Sequence, residues 1–272
     1  MKKFVIIMGI FIAVFLVFTL VVYVFYLNSR ESNEELLAIL NNPAESASDR
    51  ASAALELGSR EEPRAIDPTL RLLEDENTTI QSFAARALCY YSDPKIVQPL
   101  SDLLKEGIDI TTTEMIIQTL GRIGTPEAAA AIVPFLLDKH YHRNAAAALD
   151  EAGWQPETKE ERVHYYVAKG DIEHLLAIWD ETKEVLLNEM DSEDSTIQEY
   201  AFTTLIRFDN EDIIHALIEK LNSKGDKTMA LDYLNCGIYE LEEAAKQWAE
   251  KNGYYIVPSY KYESGSDDWG SW

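Results

Sequence analysis

Five histidines are the first place to look for chemistry in this sequence: His140, His142, His164, His174 and His215. Zinc takes three or four ligands at short, characteristic spacing. His140-x-His142 has no carboxylate or cysteine placed to complete such a set, and H-E-x-x-H is absent. Glu160 and His164 share a helix face at i, i+4, a pairing that a solvated helix surface supplies as readily. Cys89 and Cys236 stand far apart in sequence on apolar helix faces, which favours buried, inert thiols and leaves a disulfide open. There is no glycine-rich phosphate loop and no G-x-S-x-G elbow. The carboxylates are spread over helix surfaces, so no acid/base pair stands out. No catalytic residue, metal ligand or cofactor site is assigned.

The composition describes a folding, helix-rich and acidic chain. Of 272 residues, 47% are hydrophobic and 26% charged, which describes a chain that folds. Only 12 Gly and 9 Pro argue against a many-turned β protein, and abundant Ala, Leu and Glu favour helix. The net charge is −23, from 24 basic and 47 acidic side chains. A field of that sign repels phosphate backbones and anionic headgroups, so nucleic acid and membrane surfaces are poor partners. The ordinary reading is that acidic helix faces keep a monomer soluble; a partner protein with a basic surface is the alternative.

Residues 4–27 read FVIIMGIFIAVFLVFTLVVYVFYL, without one charge. As a helix they reach about 36 Å, enough to cross a hydrocarbon core of about 30 Å with some tilt. The run is too long for a cleaved signal and lacks an A-x-A site, so it is expected to be a single transmembrane anchor. Tyr23 and Tyr26 would lie near the distal interface. Lys2 and Lys3 precede the span, while Arg30 is followed by Glu31, Glu34 and Glu35. That bias places residues 1–3 in the cytoplasm and residues 28–272 outside it.

The elements that position everything else repeat. Shifted by 117, residues 74–104 match 191–221 without a gap. Glu76, Thr79, Ile80, Gln81, Ala84, Leu88, Ile96, Leu100 and Leu104 meet identical residues at 193, 196, 197, 198, 201, 205, 213, 217 and 221. The shared positions fall at helical spacing in two successive helices, which chance rarely keeps in register. Shorter periods lie between. Leu55, Leu88 and Leu120 are 33 and 32 apart, and Asp93-Pro94 and Thr125-Pro126 each place a cap before a proline suited to a first turn. A period near 33 built of two helices predicts an all-α solenoid of stacked antiparallel helix pairs.

The pairs are expected at 46–74, 78–105, 111–138, 142–190, 194–222 and 226–252, with a short helix at 32–41. The fourth is interrupted by an elbow: Gly153 and Pro156 stop one helix, Thr158 and Glu161 cap a second, and Gly170 ends it before Asp171 caps a third. Trp154, Tyr165, Tyr166 and Trp179 in and after the elbow are read as core, with a ligand cage as the alternative. The organisation is therefore residues 1–3 cytoplasmic, 4–27 anchor, 28–45 linker and short helix, 46–257 solenoid, and 258–272 a flexible tail holding Trp269 and Trp272.

The frame Ile80-Gln81-x-x-Ala84-x-x-Ala87-Leu88, echoed at 197–205, resembles the first helix of a HEAT repeat, specifically the short HEAT-like repeats of the phycobilisome-lyase type. The elbow and the segment ALDYLNCG…LEEAAKQWAEKNGY are similar to segments of bacterial proteins of that class. The resemblance covers about 46–257 and implies a scaffold for protein–protein contact, or an enzyme accessory or bilin lyase. One departure matters. The family pattern puts an arginine after the first apolar residue, where it bonds an aspartate in the next repeat. Here those positions hold Ser48, Gln81, Thr113, His142 and Gln198. The ionic ladder is missing, and packing with neutral hydrogen bonds is expected to replace it.

In a solenoid the default binding surface is the concave one, lined by second helices. Polar positions that correspond under the 117 shift are Gln98 with His215 and Asp102 with Glu219. These four are the candidate partner-binding residues. The expected role is a membrane-tethered scaffold without catalysis of its own; a bilin-lyase-type factor and a structural spacer are the alternatives.

Overall fold

The structure, a computed structural model, describes residues 32–208 and 210–258. Residues 4–27 and the tail with Trp269 and Trp272 lie outside them. No helix among the described residues is long and apolar enough to cross a membrane. All regular elements among them are helical, and they form two compact units, 32–128 and 129–258.

The first unit holds α1 (Asn33–Asn41), α2 (Ala47–Ser59), α3 (Ile66–Leu72), α4 (Thr78–Leu88), α5 (Val97–Glu106) and α6 (Ile110–Ile123); the boundary falls inside α7 (Pro126–Ile132). The second unit holds α8 (His142–Glu151), α9 (Lys159–Lys169), α10 (Ile172–Ala177), α11 (Trp179–Glu189), α12 (Ser195–Leu205), α13 (Glu211–Lys224), α14 (Lys227–Leu234) and α15 (Tyr239–Asn252). Within the first unit α1 lies on α2, α2 on α4 and α4 on α6, the stacking of first helices that a solenoid requires.

N-caps set the register. Ser46, Asn77, Asp109 and Asp194 each accept a backbone N–H in the first turn of α2, α4, α6 and α12. Eleven residues on from each cap stands a leucine: Leu57, Leu88, Leu120 and Leu205, all fully buried. Leu55, the repeat position expected from the spacing of 33, is only half-buried. The run of alanines in α2 hides the true register, which the cap at Ser46 sets two residues later. The 117 shift carries over intact: α4 and α12 have the same length and matching ends, and Ala84 and Ala201, Leu88 and Leu205, and Leu100 and Leu217 are buried alike.

Close approach of α2 and α4 depends on Gly58. A Cβ built there would lie 2.5 Å from the Ala87 carbonyl oxygen and 3.2 Å from Ala87 C and Cα. The two helix backbones therefore touch at this point, with no room for a methyl group.

The elbow forms as its signals predict. Gly153 and Gly170 take left-handed φ values of 68°, and Thr158 and Glu161 make a reciprocal capping box at the start of α9. Its aromatics pack on one another and on the core: Trp154 meets Tyr165 edge-on at 5.6 Å, and Trp179 meets Phe208 at 5.1 Å. Farther on, Phe202 stacks on Tyr233 at 5.1 Å, and the Tyr233 hydroxyl donates to Leu217 O at 3.1 Å in the core of the second unit.

Candidate partner-binding cleft

Three of the five positions where the family arginine is missing bond locally or pack, while Ser48 is exposed and neither its side chain nor that of Gln81 makes a hydrogen bond with a described residue. Gln198 Nε2 donates to Ser192 O at 2.6 Å, His142 Nδ1 lies 3.2 Å from Asp138 O, and Thr113 is buried. Burial lowers the His142 pKa, against the pull of the Asp138 carbonyl. One link between repeats stays near the amino-terminal end of the first helices, where Ser82 Oγ donates to Asp109 Oδ2 at 2.8 Å, and a regular set lies at their other end. Arg60, Tyr91 and Arg122 stand 31 residues apart, and each reaches back one repeat. Arg60 Nη1 donates to Asn33 Oδ1 at 2.9 Å, the Tyr91 hydroxyl to Glu62 O at 2.9 Å, and Arg122 Nη2 to Cys89 O at 2.6 Å. These three rungs end on neutral oxygens, but ion pairs also join successive repeats, Arg64 to Glu34 and Lys95 to Asp67 at 2.8 Å each, so the expectation that neutral bonds alone would replace an ionic ladder holds only in part.

Between the second and third rungs lies a cleft of about 600 Å³, lined by Glu61, Cys89, Tyr90, Tyr91, Ser92, Met115, Gln118, Thr119 and Arg122. It is within the size range of about 300–1,000 Å³ seen for ligand sites. Its walls are the carboxy-terminal ends of α2, α4 and α6 and the turns that follow. Second helices, where the sequence led us to look, do not line it.

On the floor, Thr119 Oγ1 donates to Met115 O at 2.8 Å and lies 3.3 Å from Cys89 O beside the Arg122 contact. Arg122 also donates from Nε to Ser92 Oγ at 3.2 Å. Its guanidinium thus sits over the last carbonyls of α4, where the helix dipole favours a cation. Burial pushes the Cys89 thiol up to about 11 and the Tyr91 hydroxyl up to about 12, so neither ionises near neutrality. A nucleophilic thiolate is not on offer in this cleft.

At the rim, Glu61 and Glu62 are neighbours with opposite circumstances. Glu62 accepts from Arg64 Nε at 2.8 Å and Nη2 at 2.9 Å and from Asn33 Nδ2 at 3.0 Å; the Arg64 contact above all holds its carboxyl at about 2. The Glu61 carboxylate makes no hydrogen bond or ion pair with any described residue, and the Gln118 amide is likewise unpartnered. Tyr90 is 43% exposed.

Glu61 also has the only positive φ of a non-glycine among the described residues, 53°. Its N–H bonds Gly58 O at 2.7 Å and the Glu62 N–H bonds Leu57 O at 3.0 Å. That pair of bonds is a Schellman motif, whose left-handed position usually takes glycine. The same turn closes α8, α9 and α15, and there the left-handed residue is Gly153, Gly170 and Gly253.

The four residues named from sequence lie elsewhere. Gln98 and Asp102 are exposed on α5, where Gln98 Nε2 donates to both Asp102 oxygens at 2.8 and 2.9 Å and Lys105 Nζ adds a contact at 2.9 Å. His215 and Glu219 are exposed one turn apart on α13. None of them lines the cleft. The sequence did carry two unread signals: a non-glycine where α2 must stop, in LGSREEP, and a tyrosine pair straight after α4, in CYYSDP.

Among the described residues no three His, Cys, Asp or Glu side chains come together as a metal site. His164 pairs with Glu189 of α11, not with Glu160, and His174 stacks on Tyr166 at 4.8 Å while bonding Asp171. Both sulfurs are free thiols, Cys89 buried and Cys236 half-buried.

A family model described as HEAT repeats matches residues 33–107 and 68–151. The two spans overlap and together take in α1 to α8, so the likeness to HEAT repeats covers this part of the chain. No curated protein sequence matches the chain. Among solved structures, similarity extends to human deoxyhypusine hydroxylase in complex with glycerol, at 14% identity over 80% of this chain and 96% of that one, with a TM-score of 0.36. A designed armadillo repeat protein shows 16% identity over 80% and 99%, at 0.37. The complex of CpcE and CpcF of phycocyanin lyase from Nostoc sp. PCC7120 shows 20% over 84% and 90%, at 0.35. Superpositions at these scores transfer no residue roles.

Proposed function

We propose that this chain is a membrane-tethered helical-repeat scaffold that holds another protein and does no catalysis of its own. In this reading residues 4–27 anchor it, residues 1–3 lie in the cytoplasm, the repeats face outward, and the partner presents a basic surface. The observation that carries the reading is the cleft at the ends of α2, α4 and α6. Inside the HEAT-matched span it presents a carboxylate, an amide and a tyrosine ring without partners of their own. Unsatisfied polar groups at an open rim suit recognition by contact more than bond chemistry. Gln98, Asp102, His215 and Glu219 remain secondary contact positions in the same proposal.

Site-specific photo-crosslinking in the native membrane tests it. A photoreactive residue at position 90 is expected to give one discrete adduct with another protein, and the same residue at 76 none. Equal, diffuse adducts from both positions, or none from either, would refute the scaffold reading. Protease added to intact cells should degrade the repeats; protection would overturn the orientation.

A further inference from the structure

Glu61 is both strained and unpaired, and the two facts together ask what its side chain is for. A left-handed backbone costs a residue with a Cβ free energy that glycine does not pay. Three equivalent Schellman turns among the described residues use glycine, so this turn does not require a carboxylate for its own sake. Unlike Glu62, the Glu61 carboxylate contributes no ion pair to the fold. It is held at the rim of a cleft beside an exposed tyrosine ring, in a unit where residues 32–128 carry 17 acidic against 8 basic side chains.

We infer that the cleft is a receptor for one lysine or arginine side chain carried on an extended segment of the partner, with Glu61 as its anion. The Tyr90 ring flanks the cation, whose attraction to an aromatic face adds to the ion pair. The Gln118 amide, able both to donate and to accept, bonds the segment's main chain. Arg122 does not oppose this. It is exposed and lines the same cleft, but its guanidinium is engaged by Cys89 O and Ser92 Oγ at the carbonyl end of α4, which offsets part of its charge. The inference rests on the scaffold reading and adds the chemistry of what is held.

The full-length chain in detergent micelles is titrated into fluorescein-labelled eleven-residue peptide libraries with degenerate Gly/Ser/Ala flanks. The central residue is Arg or Lys in one pair of libraries, norleucine in a third and Glu in a fourth. Fluorescence anisotropy at about 0.15 M salt, where distant charges are screened, reads the affinity. The basic libraries are expected to bind at least tenfold tighter than norleucine, and Glu61→Gln to remove most of that preference. Tyr90→Ala should weaken the basic libraries two- to fivefold. Glu61→Gly is the decisive variant: it relieves the turn, so the melting temperature should rise while the preference for basic peptides is lost. Glu76→Gln, on a surface carboxylate that does not line the cleft, should change neither. No preference in the native chain, a preference that survives Glu61→Gln, or an equal loss in Glu76→Gln would overturn the inference. If position 90 still crosslinks a partner in that case, the scaffold reading stands and only its chemistry falls.

Discussion

Replacing Gly58 by alanine sets two physical rules against each other. Gly58 lies in the last turn of α2, and alanine there should gain about 0.5–1 kcal/mol in helix propensity. The new Cβ, however, falls 2.5 Å from the Ala87 carbonyl oxygen, and the obstacle is the backbone of α4. Ordinary contact begins at 3.4 Å, so α2 and α4 must part by roughly 1 Å. A gap of that size forfeits a quarter to a half of each contact's attraction along the shared face. Overpacking of this kind costs about 1–3 kcal/mol. The clash wins: Gly58→Ala should destabilise by about 1–2 kcal/mol, lowering Tm by about 2–8 °C for a chain this long. Far-ultraviolet circular dichroism during heating measures the shift. Hydrogen exchange of residues 47–59 and 78–88 localises it, since amides of both helices should exchange faster. A variant as stable as the parent, with unchanged exchange in α2 and α4, would refute the close approach.

The remaining expectations are briefer. Leu57→Ala and Leu88→Ala should each cost about 2–5 kcal/mol in chemical denaturation, while Leu55→Ala, at the half-buried position, should cost clearly less. Asp232 has no side-chain hydrogen bond among the described residues; partial burial first, then Glu199 and Asp226, push its carboxyl up to about 6. A folded-state pKa above the unfolded value of about 3.9 favours the fold most when protonated, an advantage complete below about pH 4 and lost as pH rises through about 6. Asp232→Asn should therefore match the parent in Tm at pH 4 and exceed it at pH 7.5; the reverse order would refute the assignment. A disulfide-exchange reagent at pH 7.5 should modify the half-buried Cys236 well before the buried Cys89, with one thiol titrating in the native state and two in denaturant.

Much of the fold was legible because its signals are local. The capping box at Thr158 and Glu161, the glycine stops at 153, 170 and 253, and the caps before α4 and α12 each act within one turn of chain. The 117-residue echo was readable for the same reason, since equal caps and equal buried faces give equal helices. The register of α2 was not, because alanines fill both its buried and its exposed faces and leave spacing ambiguous. The cleft was harder still. Glu61, Tyr90, Gln118 and Arg122 come together only once α2, α4 and α6 stack, and no sequence window contains more than two of them. The substitution of one ladder for another was half visible. Gln81 and Gln198 showed what had been lost, while Arg60, Tyr91 and Arg122 looked like ordinary surface residues.

Rungs that reach back only one repeat have a kinetic consequence. Arg60 to Asn33, Tyr91 to Glu62 and Arg122 to Cys89 close loops of about thirty residues, and Lys220 and Lys224 to Asp191 do the same in the second unit. Closing such a loop costs little more entropy than closing one half as long. Contact order is therefore low, and order can begin at any repeat and spread by neighbour to neighbour, which favours fast folding. Excising a whole repeat between equivalent caps, such as residues 46–76 from Ser46 to the residue before Asn77, removes Arg60 and Glu62 and so breaks the rungs to Asn33 and from Tyr91, but leaves that from Arg122 to Cys89. Such a deletion shortens the unit by one helix pair, whereas a cut of half that length would leave α2 or α3 with an apolar face and nothing to close against.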